Sequence, residues 1–364
     1  MTRHGAAKHE GLFLRENTRT LYVGGVPVGG GHPIPVQSMT NTDTRDVAAT
    51  VAQITALAAA GCEIVRLAIP DEAAARALSQ IKKALTAPVP LVADIHFDHN
   101  LALESIAHGA DALRINPGNI GGMDRVREVA AAAQQAGIPI RVGVNAGSLE
   151  RGLPLTAEGL WESARRHIHM LEDCGFYDIA LSIKASDIPL TVAAHRLAAQ
   201  CCHYPLHIGI TEAGTPYRGT IKSAAGIGAL LAMGIGDTLR VSLTGDPVPE
   251  VRVAREILQA FGLRQFGAKF VSCPTCGRAN AAEVAAAAEQ VEAFCESLPP
   301  EAAHITVAVM GCVVNGPGEA KEADYGIAFG QGAGVLFRHG KVVKTLPASQ
   351  LAAALLEEIK KATG

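Results

Sequence analysis

Aromatic residues make up only 4% of the 364-residue chain, and tryptophan occurs once. The core must therefore be built from Ala, Val, Ile and Leu. Excess charge of either sign is also missing: 32 Lys and Arg stand against 35 Asp and Glu, a formal net charge of −3. That balance leaves no electrostatic footprint for a nucleic acid or an acidic membrane. No apolar run approaches the roughly 20 residues of a membrane-spanning helix. The opening "MTRHGAAKHEG" lacks the apolar segment of a secretory signal. These absences predict a soluble, cytoplasmic protein without a nucleic-acid or membrane partner. Eight cysteines in so long a chain are too sparse for a disulfide framework, and in a reducing compartment clustered thiols more often bind metal or carry out redox chemistry.

What the chain does have is repetition. After a β-type lead-in, "TRTLYVGGVPVGGG", eight short apolar runs alternate with Ala/Leu-rich amphipathic stretches. The runs are "IPVQSMT", "EIVRLAI", "PLVADIH", "ALRINPG", "IRVGVNA", "IALSIKA", "LHIGITE" and "LRVSLTG". Strand–helix alternation implies parallel βα units, and eight in succession predict an α/β fold of the TIM (β/α)₈ barrel type. The competing open, doubly wound sheet is disfavoured because no strand runs into a G-x-G-x-x-G turn. After about residue 266 the pattern changes. "FVSCPTCGR" leads into a helix, "NAAEVAAAAEQVEAFCESL", then a strand, "HITVAVM", a glycine-broken hairpin, "YGIAFGQGAGVLFRHGKVVKTL", and a closing helix. The expected organisation is a barrel over 1–265 and a small α+β domain over 266–364.

Side chains on barrel strands alternate between the axis and the surrounding helices. On four strands an apolar parity opposes a polar one: Leu113 and Ile115 oppose Arg114 and Asn116; Ile140, Val142 and Val144 oppose Arg141 and Asn145; Leu181 and Ile183 oppose Ser182 and Lys184; Leu239, Val241 and Leu243 oppose Arg240 and Ser242. The apolar parity must face the helices. Four cations therefore point inward, and Arg66 makes a fifth. One inward arginine would be a structural ion pair, but five need relief that Asp94, the clearest inward acid, cannot supply alone. An anionic ligand at the C-terminal mouth supplies it, and arginine's fork suits phosphate oxygens. His96, His207, Thr211 and Glu212 end neighbouring strands at that mouth. Glu212 is the carboxylate there suited to acid–base work.

The second domain carries Cys273-x-x-Cys276 and, farther on, Cys312 in "VMGCVVNGPGEA". A lone CxxC is shared by zinc knuckles and thiol redox pairs. Structural zinc takes four Cys or His ligands, whereas His304 is poorly spaced to complete such a set. Three thiolates fit a [4Fe–4S] cluster better. Glu319 is either its fourth ligand or an ordinary solvated glutamate. Cys62, Cys174, Cys201, Cys202 and Cys295 have no ligand spacing and are expected to be small apolar fillers.

"CPTCGR", "MGCVVNGPGEA", "VQSMTNTDT", "LRINPGNIG", "RVGVNAGSLE", "SIKASD", "GITEAG" and "RVSLTGDP" together resemble the bacterial 4-hydroxy-3-methylbut-2-en-1-yl diphosphate synthase family, from about residue 20 onward. The resemblance implies an iron–sulfur oxidoreductase of the methylerythritol phosphate route. Such an enzyme reductively opens 2-C-methyl-D-erythritol 2,4-cyclodiphosphate to 4-hydroxy-3-methylbut-2-enyl diphosphate, with flavodoxin or ferredoxin as electron donor. It implies that Cys273, Cys276, Cys312 and Glu319 hold the cluster. It also implies that Arg66, Arg114, Arg141, Lys184, Arg240 and Ser242 bind the diphosphate, with Asn116, Asn145 and Thr211 assisting, and that Glu212 sits near the reacting carbons. A head-to-tail homodimer of the two-domain bacterial form is expected. Two other readings remain: a zinc-stabilised barrel synthase acting on a phosphorylated substrate, and a non-enzymatic iron–sulfur sensor or electron carrier.

Overall fold

A computed structural model describes residues 13–273, 275, 277–298, 302 and 304–363. The chain divides into two compact units, one ending at Arg264 and one beginning at Gln265. None of the described helices is long and apolar enough to cross a membrane.

The first unit opens with an antiparallel hairpin, β1 (Leu21–Val23) and β2 (Val26–Val28). Eight parallel strands follow: β3 (Gln37–Met39), β4 (Ile64–Ala68), β5 (Leu91–Asp94), β6 (Ala112–Ile115), β7 (Ile140–Asn145), β8 (Ile179–Lys184), β9 (His207–Ile208) and β10 (Thr238–Leu239). Strands β3 to β8 form one sheet, and β9 pairs with β10. Single bridges, Leu181 to Leu206 and Val36 to Leu239, join the two sheets on both sides and close the ring. All eight expected strands are present, in chain order. Leu21, Val23 and Val28 pack against Ile64, Val92, Ala112 and Ala180, near the starts of β4, β5, β6 and β8. The hairpin thus plugs the barrel at the end opposite the strands' C-termini.

A helix follows each strand: α1 (Val47–Ala59), α2 (Glu72–Ala84), α3 (His99–Ala107), α4 (Met123–Ala136), α5 (Ala157–Glu172), α6 (Ile188–Cys201), α7 (Pro216–Ala232) and α8 (Val248–Ala260). The starts of α1, α2, α3 and α6 are set by Asp46, Asp71, Asp98 and Asp187, whose carboxylates accept first-turn amides. Helix α4 ends on Gly137 at φ +67°, a left-handed cap that favours glycine. Leu113, Ile115, Val142, Leu181, Ile183 and Leu239 are all fully buried. At about 25 cal/mol per Å² of apolar surface, that burial is the main force holding helices to strands.

The second unit is a five-stranded sheet in the order of its strands: β11 (Lys269–Ser272), β12 (Thr306–Met310), β13 (Tyr325–Phe329), β14 (Ala333–Arg338) and β15 (Lys341–Pro347). The first three strands are parallel and the last two antiparallel. Helices α9 (Ala281–Ser297) and α11 (Leu351–Thr363) bring Val284, Val291, Leu351, Leu355 and Ile359 onto a core with Val307, Val309 and Ile327. The short α10 (Gly316–Glu319) lies between β12 and β13, and Ala320 beyond it packs with Ala308, Met310, Ala328 and Phe337. The sequence led us to expect one glycine-broken hairpin after β12; the structure has a meander of three strands. The additional reversal is made by His339 and Gly340 at φ +47° and +71°, the left-handed pair that matches the twist of a tight hairpin.

Within the barrel unit His195 of α6 is completely buried, its Nδ1 2.9 Å from the Thr191 carbonyl. Burial is the largest influence and pushes its pKa down from 6.5 to about 4. The folded protein keeps this ring neutral while the unfolded chain protonates it, so stability should fall as the pH drops from about 6.5 to about 4 and level off below. Replacing His195→Gln should remove a few kcal/mol of that slope. Urea unfolding midpoints measured across this window test the prediction; a variant with the parent's pH profile would refute it.

Candidate active site

The five inward cations of the barrel occupy one lumen. Arg114, Arg141 and Lys184 are only 7%, 7% and 6% exposed. Parallel registry sets Arg114 beside Arg141, Asp94 beside Arg114, and Met39 beside Arg66. Gly143 on β7 and Gly209 just beyond β9 lie close against two of the charges. A Cβ on Gly143 would lie 2.6 Å from Arg114 Nη2, and one on Gly209 would lie 3.0 Å from Lys184 Nζ. Gly143 needs glycine because the Arg114 guanidinium occupies the space a side chain would take; at Gly209 the backbone carbonyl of Arg240 is nearer still than Lys184.

Two carboxylates meet this charge. Asp94 accepts from Arg114 Nη1 at 3.3 Å and lies 3.7 Å from Arg66 Nε. Glu250, in the first turn of α8, faces Arg240 Nε at 3.3 Å. The other partners are neutral. Arg141 Nη1 donates to Gln37 Oε1 (2.5 Å), Lys184 Nζ donates to His207 Nε2 (3.3 Å), and Arg66 Nε and Nη2 donate to Met39 Sδ (3.1 and 3.0 Å). Arg141 Nε and Nη2 are buried without a hydrogen-bond partner. Five cations against two carboxylates leave the lumen strongly positive.

The titration behaviour follows. Burial, reinforced by Arg66, Arg240, Arg141 and Arg114, holds the Lys184 ammonium well below its ordinary pKa. Burial and the neighbouring arginines do the same to Arg141, and Arg66 falls to about 10. Burial alone would raise the Asp94 carboxyl, but Arg66, His96 and Arg114 outweigh it and hold it below the usual carboxylate range. An anion in the lumen would offset the shifts of Lys184, Arg141 and Arg66 by stabilising their charged forms, while the Asp94 carboxylate works against it.

At the C-terminal ends of the strands lies a cavity of ≈ 530 Å³ lined by His96, Arg114, Asn116, Asn145, Thr211 and Glu212, among others. Asn116 follows β6, and its side chain accepts the Gly118 amide at 3.1 Å. Glu212 is held at φ +53°, a conformation uncommon for a residue with a side chain and one that often marks a functional position. His96 is exposed and lies 3.5 Å from Asp94. His207, expected at the mouth, starts β9 and is completely buried in contact with Lys184. Arg66, Arg141, Lys184, Arg240 and Ser242 are likewise not on the cavity wall. Sequence reasoning missed Gln37, Met39 and Glu250. The first two share one parity of β3, so the alternation used for the other strands would have found them; Glu250 comes from a helix and carries no such signal.

In the second unit Cys273 and Cys312 follow the adjacent parallel strands β11 and β12. The Gly311 amide donates to Cys273 Sγ (3.0 Å) and the Val314 amide to Cys312 Sγ (3.4 Å). Amides of Asn315 and Val314, then Arg278, lower the Cys312 pKa. A Cβ on Gly311 would lie 2.7 Å from Thr275 Cγ2, so the two cysteine segments touch. Glu319, in α10, is exposed. Cys276 lies outside the described residues, and among the described residues no three His, Cys, Asp or Glu side chains are gathered to hold a metal ion. All seven described cysteines are free thiols.

The profile of the GcpE TIM-barrel domain matches residues 18–255, and that of the GcpE protein C-terminal domain matches 269–361. The chain belongs to the GcpE family. This GcpE chain is similar to a 4-hydroxy-3-methylbut-2-en-1-yl diphosphate synthase (flavodoxin) of Geobacter sulfurreducens, 59% identical over 96% of this chain and 98% of that protein. The protein of the same name from Listeria monocytogenes serotype 4b is 55% identical over 96% of this chain and 94% of its own. A Plasmodium falciparum HPPK-DHPS crystal structure with SDX-DHP covers 67% of this chain and 50% of that one at a TM-score of 0.51 and 12% identity. At that identity the likeness shows the barrel fold alone.

The glycine cradle of the GcpE barrel can be tested directly. Gly143→Ala should displace the Arg114 guanidinium and weaken binding of inorganic pyrophosphate roughly tenfold, about 1.4 kcal/mol, in calorimetric titration of the full chain. An unchanged affinity would show that Arg114 does not need the space.

Proposed function

We propose that this chain is a 4-hydroxy-3-methylbut-2-en-1-yl diphosphate synthase. Its substrate would be 2-C-methyl-D-erythritol 2,4-cyclodiphosphate. The observation that carries the reading is the lumen in which Gln37, Met39 and His207 hold cations without neutralising them. A dianionic or more highly charged phosphate ligand is the natural counter-charge. The names of relatives more than half identical over nearly the whole chain point to the same chemistry.

In this reading Arg66, Arg114, Arg141, Lys184, Arg240 and Ser242 grip the two phosphates, while Asn116, Asn145 and Thr211 orient the carbon skeleton. Fixing the ring diphosphate places the reacting carbons and stabilises charge on the phosphate oxygen released when the ring C–O bond breaks. His96 and His207 belong to the same binding set, His207 acting through Lys184. The reaction takes up two electrons and two protons and releases one water. Glu212, on the cavity wall beside Thr211, is suited to hand a proton to the departing hydroxyl.

The second unit fits an iron–sulfur cluster on its own observations: two thiols beyond the C-terminal ends of adjacent strands, backbone amides aimed at both sulfurs, and a lowered Cys312 pKa. Cys273, Cys276 and Cys312 would ligate a [4Fe–4S] cluster, with Glu319 as fourth ligand. Such a cluster supplies electrons and a Lewis-acidic iron. Flavodoxin, the word the relatives' names carry, or ferredoxin would deliver the electrons. The barrel over 1–265 serves as substrate domain and 266–364 as cluster domain, and a head-to-tail homodimer would let one protomer's cluster domain cover its partner's mouth. Phe97 and Leu155, 73% and 60% exposed, supply apolar rim surface suited to such a cover.

Anaerobically purified protein should be brown and contain iron and sulfide. With a chemical reductant it should convert the cyclodiphosphate to 4-hydroxy-3-methylbut-2-enyl diphosphate. Colourless zinc protein without turnover would refute the reading. Cys312→Ser should lose the colour, whereas Glu212→Gln should keep it and lower turnover about 10²- to 10⁴-fold. Unchanged turnover in that variant would remove Glu212 from the proton step.

A further inference from the structure

Glu250 is a carboxylate inside a site built for anions, and that position needs an account. Its side chain is 3% exposed, and its contacts are all with donors. Oε2 accepts from Ser38 Oγ (2.9 Å) and Arg240 Nε (3.3 Å); Oε1 accepts from the Leu243 amide (2.9 Å) and Arg240 Nη2 (3.4 Å). Ser38 lies on β3, Arg240 and Leu243 at and beyond the end of β10, and Glu250 on α8. One carboxylate therefore joins three segments where the first and last barrel strands meet.

The contact is also selective for one edge of Arg240. The Nε–Nη2 edge faces Glu250, while Nη1 is turned to Met39 Sδ at 3.5 Å. Met39 is the sulfur that Arg66 also uses. A guanidinium docked by one edge keeps its remaining donors in a fixed direction, which a long, otherwise free side chain would lose as rotamer entropy on binding. Arg240 remains 16% exposed, so those donors are not sealed off.

We infer that Glu250 is a positioning residue for substrate binding: it fixes Arg240 edge-on and pins the segment after β10, so that this arginine meets the diphosphate pre-oriented. The inference rests on the proposed function, because it takes Arg240 as a phosphate contact. All four partners donate, so an amide in place of the carboxylate would set an N–H against another donor. Glu250→Gln, equal in size, should therefore disturb Arg240 while preserving packing.

The test is a double-mutant cycle on the full-length, cluster-loaded enzyme, reading KM and kcat for the cyclodiphosphate alongside thermal melting. Glu250→Gln should raise KM roughly tenfold, with kcat changed less. Arg240→Ala should raise it at least as much. The double variant should be no worse than Arg240→Ala alone, because Glu250 acts through that arginine. Losses that multiply in the double variant, or a folded Glu250→Gln with the parent's KM, would overturn the inference. Should Glu250→Gln melt before assay, Ser38→Ala gives a second arm: it removes one anchor of the carboxylate and should raise KM in the parent but not in Arg240→Ala. A raised KM in both backgrounds would equally overturn it. If Arg240→Ala itself leaves KM unchanged, the assignment of Arg240 to the diphosphate fails, a result distinct from either outcome for Glu250.

Discussion

Gln37 holding Arg141, His207 holding Lys184, and Met39 held between Arg66 and Arg240 are the contacts on which the rest of the barrel's chemistry depends. Each acceptor fixes a cation in place and leaves its charge uncancelled. Had all three been carboxylates, the lumen would carry five cations and five anions. That arrangement would be a structural ion network with little reason to bind a phosphate. On the proposed reading, neutral acceptors leave the lumen's positive charge in place for a phosphate ligand.

Maintaining such charge is costly, and the surrounding structure reflects the cost. Burial and the neighbouring cations lower the pKa of Lys184 and Arg141, so a rigid frame is needed to keep the cations crowded together. The frame comes from the apolar parity of the strands, fully buried against the helices at Leu113, Val142, Leu181 and Leu239. Gly143 contributes by leaving room for the Arg114 guanidinium where a side chain would otherwise lie. Asp94 and Glu250 supply the negative charge and place it against Arg66, Arg114 and Arg240.

Much of this was legible in the sequence because barrel strands alternate strictly. Arg114 opposite Leu113 and Ile115, or Lys184 opposite Ile183, reveals its direction without coordinates. The depth of each residue was not legible. His207 begins β9 rather than ending it, since that strand has only two residues, and it therefore lies inside the barrel against Lys184. Glu250 was invisible for another reason: helix residues reach the lumen only where loop geometry allows, and no periodicity encodes that. The three-stranded meander of the second unit was partly hidden as well, because His339 in a left-handed turn does not announce itself as glycine or asparagine would.

The two units solve opposite electrostatic problems. The barrel gathers cations, for which the proposed function supplies an anion, whereas the second unit brings together two thiols that would have to ionise to hold the proposed cluster. Around Cys312 the favourable field comes from the backbone, chiefly the amides of Asn315 and Val314, and Gly316 allows that backbone to come close. A Cβ there would lie 2.7 Å from that of Met310, so a larger residue would lift the loop that carries both Cys312 and Glu319 away from the sheet. Peptide dipoles stabilise a thiolate without adding a cation that would compete with metal for the sulfur. The lumen's neutral acceptors and the loop's amides thus follow one rule. For Arg141 and Lys184 in the lumen, as for Cys312 in the loop, the neighbouring groups are dipoles more than opposite charges.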